Sequence, residues 1–230
     1  TIFDEIGVDV SYLGRDFLKC CGHDQKWQGL TEVFDKLKAY NQKKIQQSGI
    51  DTLVSSCAEC FRTFARDYEL EDVKVMHTTE FLIEQGFDMS LKVEEETTVT
   101  YHDPCRLGRQ MGIYEEPREL IQSVEGVSIV EMEHSGEDAM CCGVSSMMSC
   151  NENARALRVA RMEEIKSTGA DTMLTSCPKC VSHFECLKFE GDERYADIKI
   201  LDVVSFLAQQ INEKKQNIGQ ESTPVIVTEA

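Results

Sequence analysis

Gly169-Ala-Asp-Thr-Met-Leu-Thr-Ser-Cys177, continuing into Pro178-Lys179-Cys180, has a second version 120 residues earlier in the chain: Gly49-Ile-Asp-Thr-Leu-Val-Ser-Ser-Cys57, continuing into Ala58-Glu59-Cys60. Each stretch reads as a glycine that ends a helix, a short buried strand, and a CxxC pair at the strand's end that opens the next helix. The likeness continues on both sides. Downstream, Lys74-Val-Met-His-Thr-Thr-Glu-Phe-Leu82 matches Lys199-Ile-Leu-Asp-Val-Val-Ser-Phe-Leu207, and upstream Cys20-Cys21-Gly22 matches Cys141-Cys142-Gly143. The offsets are 121 at the triplet, 120 at the CxxC and 125 at the last strand. An internal duplication accounts for two motifs in step over this distance.

The strand-helix alternation extends through both copies. In the first, Val33, Leu37 and Tyr40 fall at helical spacing before Gly49, followed by a strand over 51–56, a helix over 61–68, a strand over 74–77 and a helix over 78–85. In the second, strands are expected at 98–102, 127–132, 171–175 and 198–202, with helices at 115–123, 151–168 and 203–212. Such alternation predicts an α/β fold: two tandem pseudo-symmetric repeats, each with a short parallel sheet covered by helices. The division expected is 1–92 for the first repeat, 93–212 for the second and 213–230 for a polar tail, with 89–97 as linker. Sites in parallel sheets form beyond the carboxyl ends of the strands, where Cys57, Cys60, Cys105, Cys177 and Cys180 all fall.

Composition narrows the function. At 230 residues with 41% hydrophobic content the chain holds ample core, and it has no apolar run long enough to cross a bilayer and no visible signal peptide. It begins at Thr1, so the native start is open. The net charge of −17, without a basic stripe, argues against nucleic-acid binding. Eleven cysteines without a secretory signal, clustered in metal-type spacings, point to thiolate ligands in a reducing, cytoplasmic compartment rather than to disulfides.

The second constellation is complete: Cys105, thirty-five residues, Cys141-Cys142-Gly143, thirty-three residues, Cys177 and Cys180. The first has Cys20 and Cys21, thirty-four residues after the triplet, then Cys57 and Cys60. Thiolates suit zinc and iron–sulfur clusters, and either is satisfied by four. A fifth thiolate, and two adjacent cysteines, favour iron–sulfur at the second site; at the first, zinc and iron–sulfur stay open. Gly22 and Gly143 would let the backbone approach a bulky inorganic core. Cys150 and Cys186 lie outside the repeat and read as small buried hydrophobes, with a redox-active thiol as the sharper alternative. His102, three residues before Cys105, is a candidate proton donor or else a hydrogen-bond donor to sulfur or backbone. Arg106 and Arg109 either offset cluster charge or form solvated salt bridges. Trp27 and Met147-Met148 follow their triplets as expected apolar walls. The sequence has no GxGxxG, phosphate loop or HExxH.

These residues suggest a family. The C-x35-CCG-x33-CxxC pattern, with Tyr101-His-Asp-Pro-Cys-Arg-Leu-Gly-Arg109, Ala139-Met-Cys-Cys-Gly143 and Thr172-Met-Leu-Thr-Ser-Cys-Pro-Lys-Cys180, resembles the cysteine-rich CCG domain of heterodisulfide reductase catalytic subunits. The same domain occurs in electron-transfer subunits of glycolate, lactate, glycerol-3-phosphate and some succinate oxidoreductases. The resemblance implies a non-cubane [4Fe–4S] cluster in each complete motif, ligated by Cys105, Cys141, Cys142, Cys177 and Cys180 in the second and by Cys20, Cys21, Cys57 and Cys60 in the first. It implies that the two clusters face one another across a pseudo-twofold axis and split a small-molecule or protein disulfide, or form it from thiols. Electrons would come from a ferredoxin-like [4Fe–4S] subunit and a flavoprotein or membrane cytochrome. The first repeat departs from the pattern: the counterpart of Cys105 would fall about 15–17 residues before Thr1, so either the chain is truncated there or the first site is degenerate.

Three functions compete: a disulfide-reducing catalytic subunit, an electron-transfer subunit beside a flavin-dependent dehydrogenase, and a zinc-stabilised interaction module. Two near-complete motifs favour the first, because disulfide cleavage needs paired sites.

Overall fold

The computed structural model describes residues 2–14, 17–144 and 151–221. A short helix α1 (Ile2–Glu5) and α2 (His23–Trp27) precede the long α3 (Thr31–Ser48). Gly49, at φ +68, ends α3, and β1 (Thr52–Ser55), α4 (Ala58–Arg66), β2 (Lys74–His77) and α5 (Thr78–Glu84) complete the first repeat. The second runs β3 (Lys92–His102), α6 (Gly108–Met111), α7 (Glu115–Gln122), β4 (Glu125–Ile129), α8 (Glu152–Ser167), β5 (Thr172–Thr175), α9 (Pro178–Phe189), β6 (Lys199–Asp202) and α10 (Val203–Glu221).

All pairings are parallel. β1 pairs β2 with Leu53 opposite Val75. The second sheet has the order β4-β3-β5-β6, with Tyr101 opposite Leu174 and Leu174 opposite Leu201. Parallel strands point the same way, so one rim of each sheet carries every strand's carboxyl end. β5 is buried at all four positions, as a strand covered on both faces must be.

The apolar clusters cross the join between the repeats. Ile2, Leu82, Phe87 and Leu91 pack with Val93, Tyr101, Leu120 and Leu207. Ala58 and Phe61 pack with Leu107, Cys142, Cys177 and Phe184. Phe34, Ile45, Leu53, Phe64 and Tyr68 form a third cluster, with Cys21, inside the first repeat. Among the described residues no helix is long and apolar enough to cross a membrane.

Four expectations change. Residues 92–97, expected as linker, extend β3, because Leu91 and Val93 are buried and pin the charged Glu94 to Glu96 run along the sheet. The β4 strand starts and ends earlier than expected, at 125–129. Residues 213–221, expected as tail, continue α10; the Val225-Ile-Val segment lies outside the described residues. The helix α3 buries Phe34, Asn41 and Ile45, while Val33 is 45% exposed and Tyr40 36%. A polar side chain displaces the expected apolar face by one position. Asn41 accepts from the Lys19 N–H (2.8 Å) and donates to the Cys20 carbonyl (3.1 Å), so its amide is satisfied inside. The exposed Tyr40 ring carries the ammonium groups of Lys19 and Lys44 at 5.6 and 5.9 Å instead.

Candidate metal centre

The same local geometry places the thiols of both repeats. Cys57 and Cys177 are the N-cap residues of α4 and α9, with extended backbone, so their side chains leave at the strand-to-helix junction. The free N–H groups of a first helical turn favour a thiolate there. In each triplet the glycine N–H points at the first sulfur: Gly22 to Cys20 Sγ at 3.5 Å and Gly143 to Cys141 Sγ at 3.3 Å. Both glycines have positive φ, +84 and +88. The expectation that they leave room for an inorganic core is corrected by their surroundings. A Cβ on Gly143 would lie 2.5 Å from the Ala154 carbonyl oxygen of α8, and one on Gly22 would lie 2.7 Å from the Phe34 ring of α3. What they admit is a packed neighbour: α8 at Gly143 and the Phe34 side chain of α3 at Gly22.

The nine repeat cysteines form one series of neighbours in which each thiol shifts the ionisation of the next. From one end it runs Cys20, Cys21, Cys60, Cys57, then Cys177, Cys180, Cys142, Cys141 and Cys105. The Cys142–Cys180 sulfurs are 3.4 Å apart. The order is palindromic about the Cys57–Cys177 pair: the cysteines of the first repeat are followed by their duplicates in reverse order, and Cys105 is left over. The ion pair Glu59–Lys179 (2.7 Å) sits at the same junction, joining the third positions of the two CxxC pairs. Asp24 adds a second carboxylate at 2.5 Å from Lys179. Burial opposes charge on Lys179, but its bonds to Asp24 and Glu59 win and raise its pKa.

Crowded thiols cannot all ionise. Hydrogen bonds from Cys177 and Cys60 hold Cys57 down to about 2, and those from Cys20 and Cys60 hold Cys21 down to about 4. Their neighbours are pushed the other way: Cys60 by Cys21 and Cys57, Cys105 by Cys141, and Cys142 by Cys141, the last to about 12. Cations that replace the shared protons relieve this repulsion, and soft metal ions do so with the strongest preference for sulfur. A run of five and four thiolates fits iron–sulfur ligation. A small recess of about 20 Å³ opens on the second set, lined by its five cysteines together with Glu59, Pro104, Arg106, Val144 and Lys179.

His102 is fully buried. Its Nδ1 accepts from Arg161 Nε at 3.1 Å, so the ring proton is on Nε2. Nε2 has no hydrogen-bond partner among the described residues, and one ring nitrogen of His102 lies with the Cys142 and Cys180 sulfurs in a group no wider than 4.8 Å. Burial, then the Arg161 charge, lower its pKa to about 3. Arg109 donates to the Glu137 and Ala139 carbonyls, holding the segment that precedes Cys141 instead of forming a salt bridge. Arg106 stacks on the Trp27 ring at 3.8 Å. Cys186 is half-buried on α9. Cys150 and Met147-Met148 lie outside the described residues.

Sequence reading did not find the supports of the His102–Cys105 loop. Asp103, 2% exposed, takes both guanidinium nitrogens of Arg118 (2.8 and 2.9 Å) and the Gly136 N–H (2.8 Å). Removing one partner of a buried pair strands the other charge. Arg118→Met is therefore expected to lower the unfolding free energy by about 3 kcal/mol, measured by chemical denaturation; a loss below about 1 kcal/mol would refute this account of the loop. The Glu59–Lys179 pair did carry a signal, since equivalent positions of the two copies hold opposite charges.

A duplicated α/β fold with a bipartite thiol centre at the strand ends defines a class of metal-site protein. A family model for the cysteine-rich domain, CCG, matches residues 1–65 and 99–185, and the chain belongs to that family. It is 33% identical over 222 residues to a subunit of the dihydromethanophenazine:CoB–CoM heterodisulfide reductase of Methanosarcina acetivorans, covering 91% of this chain and 53% of that protein. It is 32% identical to a subunit of the fumarate reductase (CoM/CoB) of Methanothermobacter marburgensis, over 82% of this chain and 38% of that one. It is 28% identical to the probable iron–sulfur-binding oxidoreductase FadF of Bacillus subtilis, over 96% and 32%. The chain thus spans about half, or less, of the length of these relatives.

Proposed function

We propose that the chain is an iron–sulfur subunit of an oxidoreductase complex and that it carries the disulfide-reducing site, in the manner of heterodisulfide reductases. The observation that supports this most directly is the continuous palindromic series of nine thiols. A one-cluster relay needs a single ligand set, whereas cleaving a disulfide calls for two electron-delivering sites within reach of two sulfurs. Cys105, Cys141, Cys142, Cys177 and Cys180 would hold one [4Fe–4S] cluster, of non-cubane type, and Cys20, Cys21, Cys57 and Cys60 the other. Such clusters supply single electrons and iron sites with affinity for sulfur.

The remaining steps belong to the chain. RSSR′ reacting beside the recess would take up two electrons and two protons to give RSH and R′SH, the electrons coming from a ferredoxin-like subunit and a flavoprotein or membrane cytochrome. Proline at 104 and the buried Asp103–Arg118 pair fix the Cys105 loop. His102, held neutral by burial and Arg161, has one ring nitrogen within 4.8 Å of the Cys142 and Cys180 sulfurs and an Nε2 hydrogen without a partner among the described residues, which a bound cluster would take up. This is a positioning role in preference to that of an acid. Lys179 keeps a proton at the junction of the two sites.

A second reading, an electron-transfer subunit beside a dehydrogenase, draws on the fumarate reductase relative and on the EtfAB:quinone oxidoreductase of Syntrophomonas wolfei, 27% identical over 79% of this chain. Iron, zinc and acid-labile sulfide analysis of anaerobically purified protein, with electron paramagnetic resonance and assay of disulfide reduction by a low-potential dye, tests the choice. Two clusters with disulfide turnover support the proposal. Two clusters without turnover of any disulfide move the second reading to first place, and zinc without sulfide ends both.

A further inference from the structure

Asn41 on α3 and Arg161 on α8 hold the same position in the two copies, 120 residues apart, and both are fully buried. Their chemistry differs. Asn41 is neutral and uses its amide on the Lys19 N–H, the Cys20 carbonyl and the Tyr68 hydroxyl. Arg161 brings a charge. Its Nη1 donates to the His134 carbonyl at 2.7 Å and to Glu164, and its Nε donates to His102 Nδ1 at 3.1 Å. Phe184 meets the His102 ring edge-on, with centroids 5.0 Å apart, and Thr175 Oγ1 donates to the His102 carbonyl at 2.9 Å. With Nδ1 occupied as an acceptor, the neutral ring presents its N–H at Nε2. That atom and Arg161 Nη2 are buried without a hydrogen-bond partner among the described residues. Two orphaned donors on one contacting pair call for an acceptor. One ring nitrogen of His102 lies within 4.8 Å of the Cys142 and Cys180 sulfurs. Three carboxylates act on Arg161. Asp103 and Glu131 are paired with Arg118, whereas Glu164 bonds Arg161 itself and also His134. The counterpart of Glu164 in the first copy is Lys44, stacked over the Phe17 and Tyr40 rings.

We propose that Arg161 is a positioning residue that makes the two duplicated centres electrostatically unequal: through His102 it aims an N–H at the second thiol set and gives that set the higher affinity for an added electron. This rests on the iron–sulfur part of the reading above and not on its disulfide substrate. A hydrogen bond to sulfur and a buried cation both favour the more negative, reduced state of an iron–sulfur centre. Asn41 supplies neither to the first set. The electron comes from an external reductant, dithionite in the test below, which is oxidised as one ferric ion becomes ferrous; no bond breaks and no proton moves.

The test is a titration of the anaerobic, iron-loaded protein with dithionite, each centre followed by electron paramagnetic resonance. The first centre is identified as the one altered by Cys20→Ser. The second centre is expected to take up its electron at the higher potential. Arg161→Gln is expected to lower the ratio of reduced to oxidised second centre at fixed potential by about tenfold or more, ~59 mV for a one-electron couple, and to leave the first centre where it was. It is also expected to remove an exchangeable-proton coupling from the second centre's signal, as His102→Gln does. Glu164→Gln guards against a failure of Arg161→Gln to fold, since its side chain is at the outer end of the pair and 12% exposed. It leaves the Arg161 charge less compensated and is expected to move the ratio the opposite way, by about threefold. A mere loosening of the fold would not push the two variants in opposite directions. An unmoved second centre in Glu164→Gln, or shifts of the same sign in both variants, overturns the proposal. Zinc in place of iron in the second set removes the iron–sulfur reading and the proposal with it. The expected shifts without turnover of any disulfide keep the proposal and remove only the disulfide-reductase reading.

Discussion

Cys57→Ser is expected to abolish disulfide reduction while the iron of the second set stays largely in place. Cys57 is the first-repeat neighbour of Cys177, and Cys177 and Cys60 together hold its pKa down to about 2. Serine keeps the size of the side chain but offers a poorly ionised hydroxyl to a soft metal. If the two sites act as a pair, losing one removes the second electron-delivering centre, and turnover falls by more than the roughly 10–100-fold typical of altering an outer support of a ligand. The measurements are iron and sulfide per chain, the paramagnetic signal of each cluster, and reduction of a disulfide by a dye donor. A variant that loses iron yet turns over at the full rate would show that the paired mechanism is wrong, and the electron-transfer reading would take its place.

Gly143→Ala carries the second large effect. The φ of +88 alone costs an L-residue about 1–2 kcal/mol. The new methyl also meets the Ala154 carbonyl oxygen at 2.5 Å, a backbone atom of α8 that cannot swing aside. A total above about 3 kcal/mol is expected, and with it a fall in the unfolding midpoint of at least ~6 °C for a chain of this size. Cys141 and Cys142 precede Gly143 directly, so the iron of the second set should fall as well. Gly22→Ala is the internal control. Its methyl would meet the Phe34 ring at 2.7 Å, a side chain that can turn, so its loss should be smaller. Equal midpoints and equal iron for Gly143→Ala and the unaltered protein would show that α8 adjusts and that the loop is not built on it.

The two predictions probe different things. The serine variant changes a donor atom and leaves the backbone alone. The alanine variant changes the backbone path and leaves every sulfur in place. Where both fail to assemble a cluster in the second set, the two ligand sets are one cooperative unit, as the Cys57–Cys177 pair allows.

Much of this was legible in the chain because repetition is a linear property. The paired GxDT-to-CxxC stretches gave strand, turn and helix start twice, and the structure places β1, β5, α4 and α9 there. Gly49 and Gly169, each at positive φ, end the helices before those strands, a role that follows from the residue type alone. The nine cysteines in register identified a thiol centre without any knowledge of tertiary contacts. The linker and tail were misjudged for one reason: charged and polar residues on an exposed strand or helix face resemble unstructured chain, and only the partners of Leu91 and Val93 reveal otherwise.

Other features needed the fold. Val33, Leu37 and Tyr40 have the spacing of a buried face, yet Asn41 is the residue inside, because its amide is satisfied by Lys19 and Cys20 of a distant segment. Burial of a polar group is decided by partners, and partners are not written in periodicity. The purpose of Gly143 followed the same logic: its positive φ is a local matter, but what occupies the missing side chain's space is α8. The sequence by itself determined the duplication, the parallel α/β elements and which thiols belong to each repeat, since these depend on residue type and spacing along one dimension. The tertiary structure decided that the two sets meet end to end at Cys57 and Cys177, that Glu59 and Lys179 close the junction, and that Arg106 stacks on Trp27. Each of these is a contact between repeats, set by how two folded halves pack, and packing is a three-dimensional quantity that no spacing encodes.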